Sequence, residues 1–138
     1  MRLHLLGVNG PFPEPDQCCS GYLIEACASL IQMDFGTGIL SRLTRLAPPE
    51  DLTGILLTHW HFDHCSDLLP MIYRLEALHR TLRVFAPADE NSPIRAIVSA
   101  ASCFELTDVQ PGDSGIIFFA IIGVLAITGA VVACKARR

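Results

Sequence analysis

The chain has 138 residues, a formal net charge of -4 and a hydrophobic fraction of 51%. That length allows one ordinary domain with its own core. The acidic balance argues against a general nucleic-acid-binding surface and leaves room only for a local basic groove.

Leu3 to Val8 reads as a first strand. The segment Asn9-Gly10-Pro11-Phe12-Pro13-Glu14-Pro15 is a loop, because its prolines lack backbone donors and fix φ. Gly21 to Glu25 and Ser29 to Asp34 read as two strands of a meander, with a turn near Ala26-Cys27-Ala28. Gly36-Thr37-Gly38 breaks the second strand and opens a short helix from Ile39 to Leu46. After the loop Pro48-Pro49-Glu50-Asp51, Leu52 to Thr58 supplies a buried strand. Asp67 to His79 is a helix whose apolar face carries Leu68, Leu69, Ile72, Leu75 and Leu78. Leu82 to Ala86 is a strand, and Pro93 to Ser102 a helix with Ser92 as N-cap. Phe104 to Val109 is another strand, followed by the turn Gln110-Pro111-Gly112-Asp113. Strands first, then alternating helix and strand, predict an α/β layered sandwich.

The run from Gly115 to Cys134 contains no charge. Twenty such residues span about 30 Å as a helix, which matches the bilayer hydrocarbon. Lys135, Arg137 and Arg138 follow. A single membrane-spanning helix is expected over 115–134, with a lipid membrane as partner. The other arrangement for this run is a buried strand-turn-strand, disfavoured by its length without a polar break. Basic residues after the helix point to a cytoplasmic C-terminus. That orientation would put the preceding domain outside, yet no signal peptide is expected; a tail-anchored arrangement, which translocates the three cations, keeps the domain in the cytoplasm and is the one expected here.

Six cysteines are present, at 18, 19, 27, 65, 103 and 134. Met1 to Leu6 reaches Gly7 and Asn9-Gly10-Pro11 too early for the apolar core of a signal peptide. The thiols are therefore expected to be reduced. Cys65 follows His64 directly and reads as a small, half-buried thiol.

The densest chemistry lies in Thr58-His59-Trp60-His61-Phe62-Asp63-His64. Three of the five histidines and an aspartate crowd into this segment. Neutral imidazole and carboxylate bind zinc at about 2.0–2.2 Å. His59 and His61 are two apart, so on extended backbone they project to the same side and can grip one ion. Asp63 and His64 come at the next turn and can grip a second. Two metals at such a distance polarise a carbonyl or phosphoryl oxygen. His4 and His79 carry no such pattern and read as surface or half-buried residues.

His59-x-His61-x-Asp63-His64 after an apolar strand resembles the metal-binding motif of the metallo-β-lactamase-fold hydrolases. Met33-Asp34-Phe35-Gly36-Thr37-Gly38 resembles the family's aspartate-glycine segment. Leu5-Leu6-Gly7-Val8-Asn9-Gly10 and Cys19-Ser20-Gly21-Tyr22-Leu23 resemble the small bacterial branch near ribonuclease Z. The resemblance covers residues 1–113 and implies the N-terminal half of an αββα sandwich. It implies two zinc ions, His59 and His61 for the first, Asp63 and His64 for the second. Asp63 would also hold the attacking hydroxide, and Asp34 would support the metal loop from behind. Family reactions include phosphodiester, thioester, lactone and β-lactam hydrolysis, and the branch implies a phosphodiesterase. Homo-oligomers are among the partners it suggests.

The family pattern also implies further ligands: another histidine for the first zinc, a bridging aspartate and a late histidine. No histidine follows His79, and Asp89, Asp108 and Asp113 have no recognisable bridging context. From Gly112-Asp113-Ser114 onward the chain resembles the end of a Gram-positive sorting signal, without its Leu-Pro-x-Thr-Gly motif. The expectation is thus a truncated hydrolase domain at 1–113, impaired in activity, joined to a membrane tail at 114–138. The alternative is a non-enzymatic, membrane-tethered remnant with partial metal binding.

Overall fold

The computed structural model describes residues 1–110. The expected membrane helix at 115–134 lies outside the described residues. No helix among the described residues is long and apolar enough to cross a membrane.

Six strands form one mixed sheet in the order β1-β2-β3-β4-β5-β6. They are β1 (Arg2–Gly7), β2 (Gly21–Ala26), β3 (Ser29–Met33), β4 (Gly54–Leu56), β5 (Leu82–Pro87) and β6 (Phe104–Val109). β2 and β3 are the expected meander, and β1 joins β2 antiparallel at its other edge. Pairing then turns parallel from β3 through β6. Parallel neighbours need crossovers, and helices supply them: α1 (Ile39–Leu43), α2 (Phe62–Cys65), α3 (Leu68–Ala77) and α4 (Pro93–Ala100).

The core lies on one face of the sheet. Leu23, Ile55 and Val84 share that face by register, and pack in one cluster with Ile39, Leu43, Leu68, Met71, Leu75, Ile94 and Val98 of the helices. Leu68, Met71 and Leu75 recur at helical spacing and are fully buried. On the opposite face Leu5, Tyr22, Met33, Leu56 and Phe85 align across five strands. Leu5 is exposed, and the other four are only partly buried. Among the described residues this apolar face has no second layer over it.

Several boundaries differ from the expectation for physical reasons. The strand expected from Leu52 to Thr58 is only Gly54–Leu56. Its C-terminal end leaves the ladder because the Thr58 N–H donates to the Asp34 carboxylate, at 2.8 Å. The helix from Ile39 stops at Leu43, and Arg45 and Leu46 bond three residues back in tighter turns. The helix expected to reach His79 ends at Ala77. His79 takes φ 51°, and the N–H groups of His79 and Arg80 bond back to Glu76 and Leu75. That is a left-handed helix stop, so His79 is a turn residue far from the other histidines in role. Ser92 caps α4 as expected, its hydroxyl accepting from the Arg95 N–H with Pro93 in the first turn.

Candidate metal centre

The candidate centre sits where β3 and β4 run out. After Met33 the chain turns sharply at Asp34, which adopts φ 54°. Aspartate is one of the few residues that tolerates this left-handed region. The turn drives the Asp34 carboxylate into the protein, where the residue is 2% exposed. Gln32, itself fully buried, donates from Nε2 to the Asp34 carbonyl at 2.7 Å and holds the turn.

A buried carboxylate without partners would be costly, and this one is well partnered. Its Oδ1 accepts from the Thr58 N–H at 2.8 Å and the Thr58 hydroxyl at 2.9 Å. Its Oδ2 accepts from the Ser20 hydroxyl at 3.2 Å and from His64 Nδ1 at 2.8 Å. An ionised carboxylate only accepts, so His64 Nδ1 carries a proton, and in the neutral ring Nε2 keeps its lone pair. The Thr58 hydroxyl has one proton, which it gives to Asp34. It can then accept from His59 Nδ1, 3.0 Å away, which leaves His59 Nε2 with its lone pair as well.

His59, His61 and His64 come together. The His59 ring lies 4.5 Å from that of His61 and 4.1 Å from that of His64, centre to centre. Burial lowers the His59 pKa, and the neighbouring His64 and His61 push the same way. The neutral imidazole is the form that binds a metal. His61 is the extended residue just before α2, and Asp63 and His64 lie on that one-turn helix. Asp63 Oδ2 faces His64 Nε2 at 3.4 Å.

Backbone contacts fix this loop. The carbonyls of Asp63 and His64 accept from the N–H groups of Ser20, at 3.1 Å, and Phe35, at 2.6 Å. Gly36 lies against the Asp63 carbonyl so closely that a Cβ would collide with it. A Cβ on Gly10 would stand 2.7 Å from Asp63 Oδ2. Cys65 is fully buried, donates its thiol to the His61 carbonyl at 3.1 Å, and has its pKa pushed up to about 12 by burial. Through this bond it braces the loop. Burial also raises the pKa of Asp67, which accepts from the Leu40 N–H at 2.7 Å and ties α1 to α3.

The donors fit zinc in kind: imidazole nitrogens with free lone pairs beside a carboxylate. With the His64 ring neutral, its Nε2 and Asp63 Oδ2 face each other as two lone-pair atoms, an arrangement that a cation joins. Among the described residues, no group of three or more His, Cys, Asp or Glu side chains is placed to hold an ion unaided. The nearest cavity, about 410 Å³, opens beside His61 and Asp63 and is lined also by Pro11, Trp60, Phe62, Asp89 and Pro93.

The sequence carries no signal for the parts played by Thr58, Ser20 and Gln32. Thr58 and Ser20 act through contacts with Asp34 from other segments, and Gln32 through the Asp34 carbonyl two residues on. Gly10 likewise sits far from Asp63 in sequence and beside it in space.

Comparison with known proteins gives a consistent picture. Residues 22–88 match the model of the Metallo-beta-lactamase superfamily. The chain is 32% identical over 113 residues to the ribonuclease Z of Methanopyrus kandleri, covering 80% of this chain and 40% of that protein. It is 34% identical over 71 residues to the probable metallo-hydrolase YhfI of Bacillus subtilis, covering 51% of this chain and 29% of that one. The crystal structure of YhfI superposes with a TM-score of 0.73 at 25% identity, over 80% of this chain and 46% of that chain. The short form of human tRNase Z superposes with a TM-score of 0.66 at 18% identity, over 82% of this chain and 46% of that chain, which shows the fold. The chain thus spans less than half the length of these relatives.

Proposed function

We propose that this chain, which has the fold of the metallo-β-lactamase superfamily and homologues among ribonuclease Z and metallo-hydrolases, carries part of a zinc-dependent phosphodiester-hydrolysing site. The observation that carries this reading is the pair His64 Nε2 and Asp63 Oδ2 at 3.4 Å, with the His64 proton fixed on the far side by Asp34.

His59 and His61 would bind one ion, and Asp63 and His64 a second. When bound, zinc supplies Lewis acidity and lowers the pKa of water, which gives a nucleophile at neutral pH. The protein's own part is orientation. Asp34 holds His64 in one tautomer, and Thr58 passes the same constraint to His59. Asp63 would position the attacking water, a role supported by its place in the lining of the cavity where an ester can enter. The phosphodiester substrate is supported by the likeness to the Methanopyrus ribonuclease Z.

Two donors per ion bind more weakly than three, so metal occupancy should depend on supplied zinc. One observation favours the second reading, a metal-binding chain without turnover: no three-donor group occurs among the described residues. Elemental analysis of the purified full chain, with turnover measured on the same sample, separates them. Zinc approaching two per chain with phosphodiester hydrolysis supports the first reading. Substoichiometric zinc without turnover supports the second.

We also propose, from the uncharged run 115–134, a single membrane span with the metal-binding part in the cytoplasm. Protease added to intact cells should leave residues 1–110 uncut, and cleavage there would overturn it.

A further inference from the structure

The cavity beside the histidines has a character that the metal chemistry does not use. Its apolar lining is Phe62, Pro11, Pro93 and Trp60. Its polar lining is His61, Asp63, Asp89, Asn91 and Ser92. Among the described residues no lysine or arginine lines it. At about 410 Å³ it falls within the range of small-ligand sites.

Phe62 is the feature that needs an explanation. It lies between His61 and Asp63 in sequence, yet it is 62% exposed. A large aromatic ring in water at the lip of a cleft offers a stacking face. Pro11 and Pro93, in the same lining, present further apolar surface. Asp89 accepts from the Asn91 N–H through Oδ1 at 3.0 Å, which steadies its side chain while Oδ2 stays available. That free oxygen asks for an N–H donor.

We infer that this cleft is a subsite for a planar, N–H-bearing ring of the substrate, such as a nucleobase, with Phe62 as the stacking face and Asp89 as the acceptor. This deepens the hydrolase reading above and rests on it. A ring seated against Phe62 lies next to His61 and Asp63, so a phosphodiester attached to it is delivered to the metal-binding side chains. The subsite therefore favours esters in which one arm carries such a ring over esters with two small arms.

Trp60 is the single tryptophan of the sequence, so its fluorescence reports on this cleft directly. The test is a titration of the full chain with guanosine, 1-methylguanosine and ribose, read by Trp60 emission. Guanosine should quench saturably and ribose should not. Blocking the N1 proton in 1-methylguanosine should weaken binding. Phe62→Ala should weaken guanosine binding at least about fivefold, as loss of one stacking partner does. Phe62 is exposed, so the variant folds; Asp89→Ala, also at the surface, should weaken guanosine and leave 1-methylguanosine less affected. Absence of saturable quenching, an equal response to ribose, or an unchanged Phe62→Ala overturns the subsite. Hydrolysis of methyl p-nitrophenyl phosphate is followed separately. Turnover without quenching removes the subsite alone, whereas quenching without turnover removes the hydrolase reading and leaves a ring-binding cleft.

Discussion

His64 Nδ1 lies 2.8 Å from the Oδ2 of Asp34, a carboxylate buried at a left-handed turn. The contact joins the end of β3 to the histidine loop thirty residues later. It settles which nitrogen of His64 faces outward, and so which nitrogen can meet a metal.

Asp34→Asn tests that contact. Asparagine tolerates the same left-handed backbone, so the turn survives. Its amide presents a donor where the carboxylate accepts, which breaks the bond to His64 or to Thr58. Zinc affinity, measured by competition with a chromophoric chelator, should fall about 10–100-fold. Unchanged affinity would remove Asp34 from the site.

Thr58→Val keeps the shape and deletes the hydroxyl that bonds Asp34 at 2.9 Å. Urea unfolding should show a loss of about 1–2 kcal/mol. The Thr58 N–H still satisfies Asp34 Oδ1, so a loss much above that range would mean the hydroxyl does more than this bond.

Two glycines separate folding from metal binding. Gly36→Ala sets a methyl against the Asp63 carbonyl, which is backbone and cannot swing away. It should cost about 3 kcal/mol or more. Gly10→Ala meets only the Asp63 side chain, at 2.7 Å. It should weaken zinc binding and shift the melting temperature little. Equal thermal loss in both variants would contradict this placement.

Arg74 grips Glu50 through two bonds, at 2.6 and 3.1 Å, and ties α3 to the turn before β4. The guanidinium holds the Glu50 carboxyl below the usual carboxylate range. A carboxylate with a depressed folded pKa contributes stability above its unfolded pKa and loses it as pH falls through the folded one. Arg74→Met should therefore cost about 1 kcal/mol at pH 7, a modest value because the pair is partly solvated. The difference between the two proteins should close in acid. A gap that persists below the folded Glu50 pKa would show that packing, not charge, is responsible.

Much of this arrangement was legible in the residue pattern. Alternation in Leu82 to Ala86 and helical spacing of Leu68, Ile72 and Leu75 are local signals, and both elements formed within a residue or two of expectation. The dense His59–His64 cluster marks the centre without any tertiary information. What local pattern could not carry was any feature set by a distant partner. Strand β4 is cut short because Asp34 takes the Thr58 N–H. The left-handed turn at Asp34 and the approach of Gly10 to Asp63 depend on chain segments that meet only after folding. Phe62 gives no sign in sequence of standing at the mouth of a cleft.

The most direct measurement is phosphodiester hydrolysis by the full chain as zinc is titrated in, with His61→Ala alongside. The account predicts turnover that rises with zinc, is abolished by EDTA, and is absent from the His61→Ala protein despite an unchanged fold by circular dichroism. Turnover that is indifferent to zinc, or equal in His61→Ala, would contradict it.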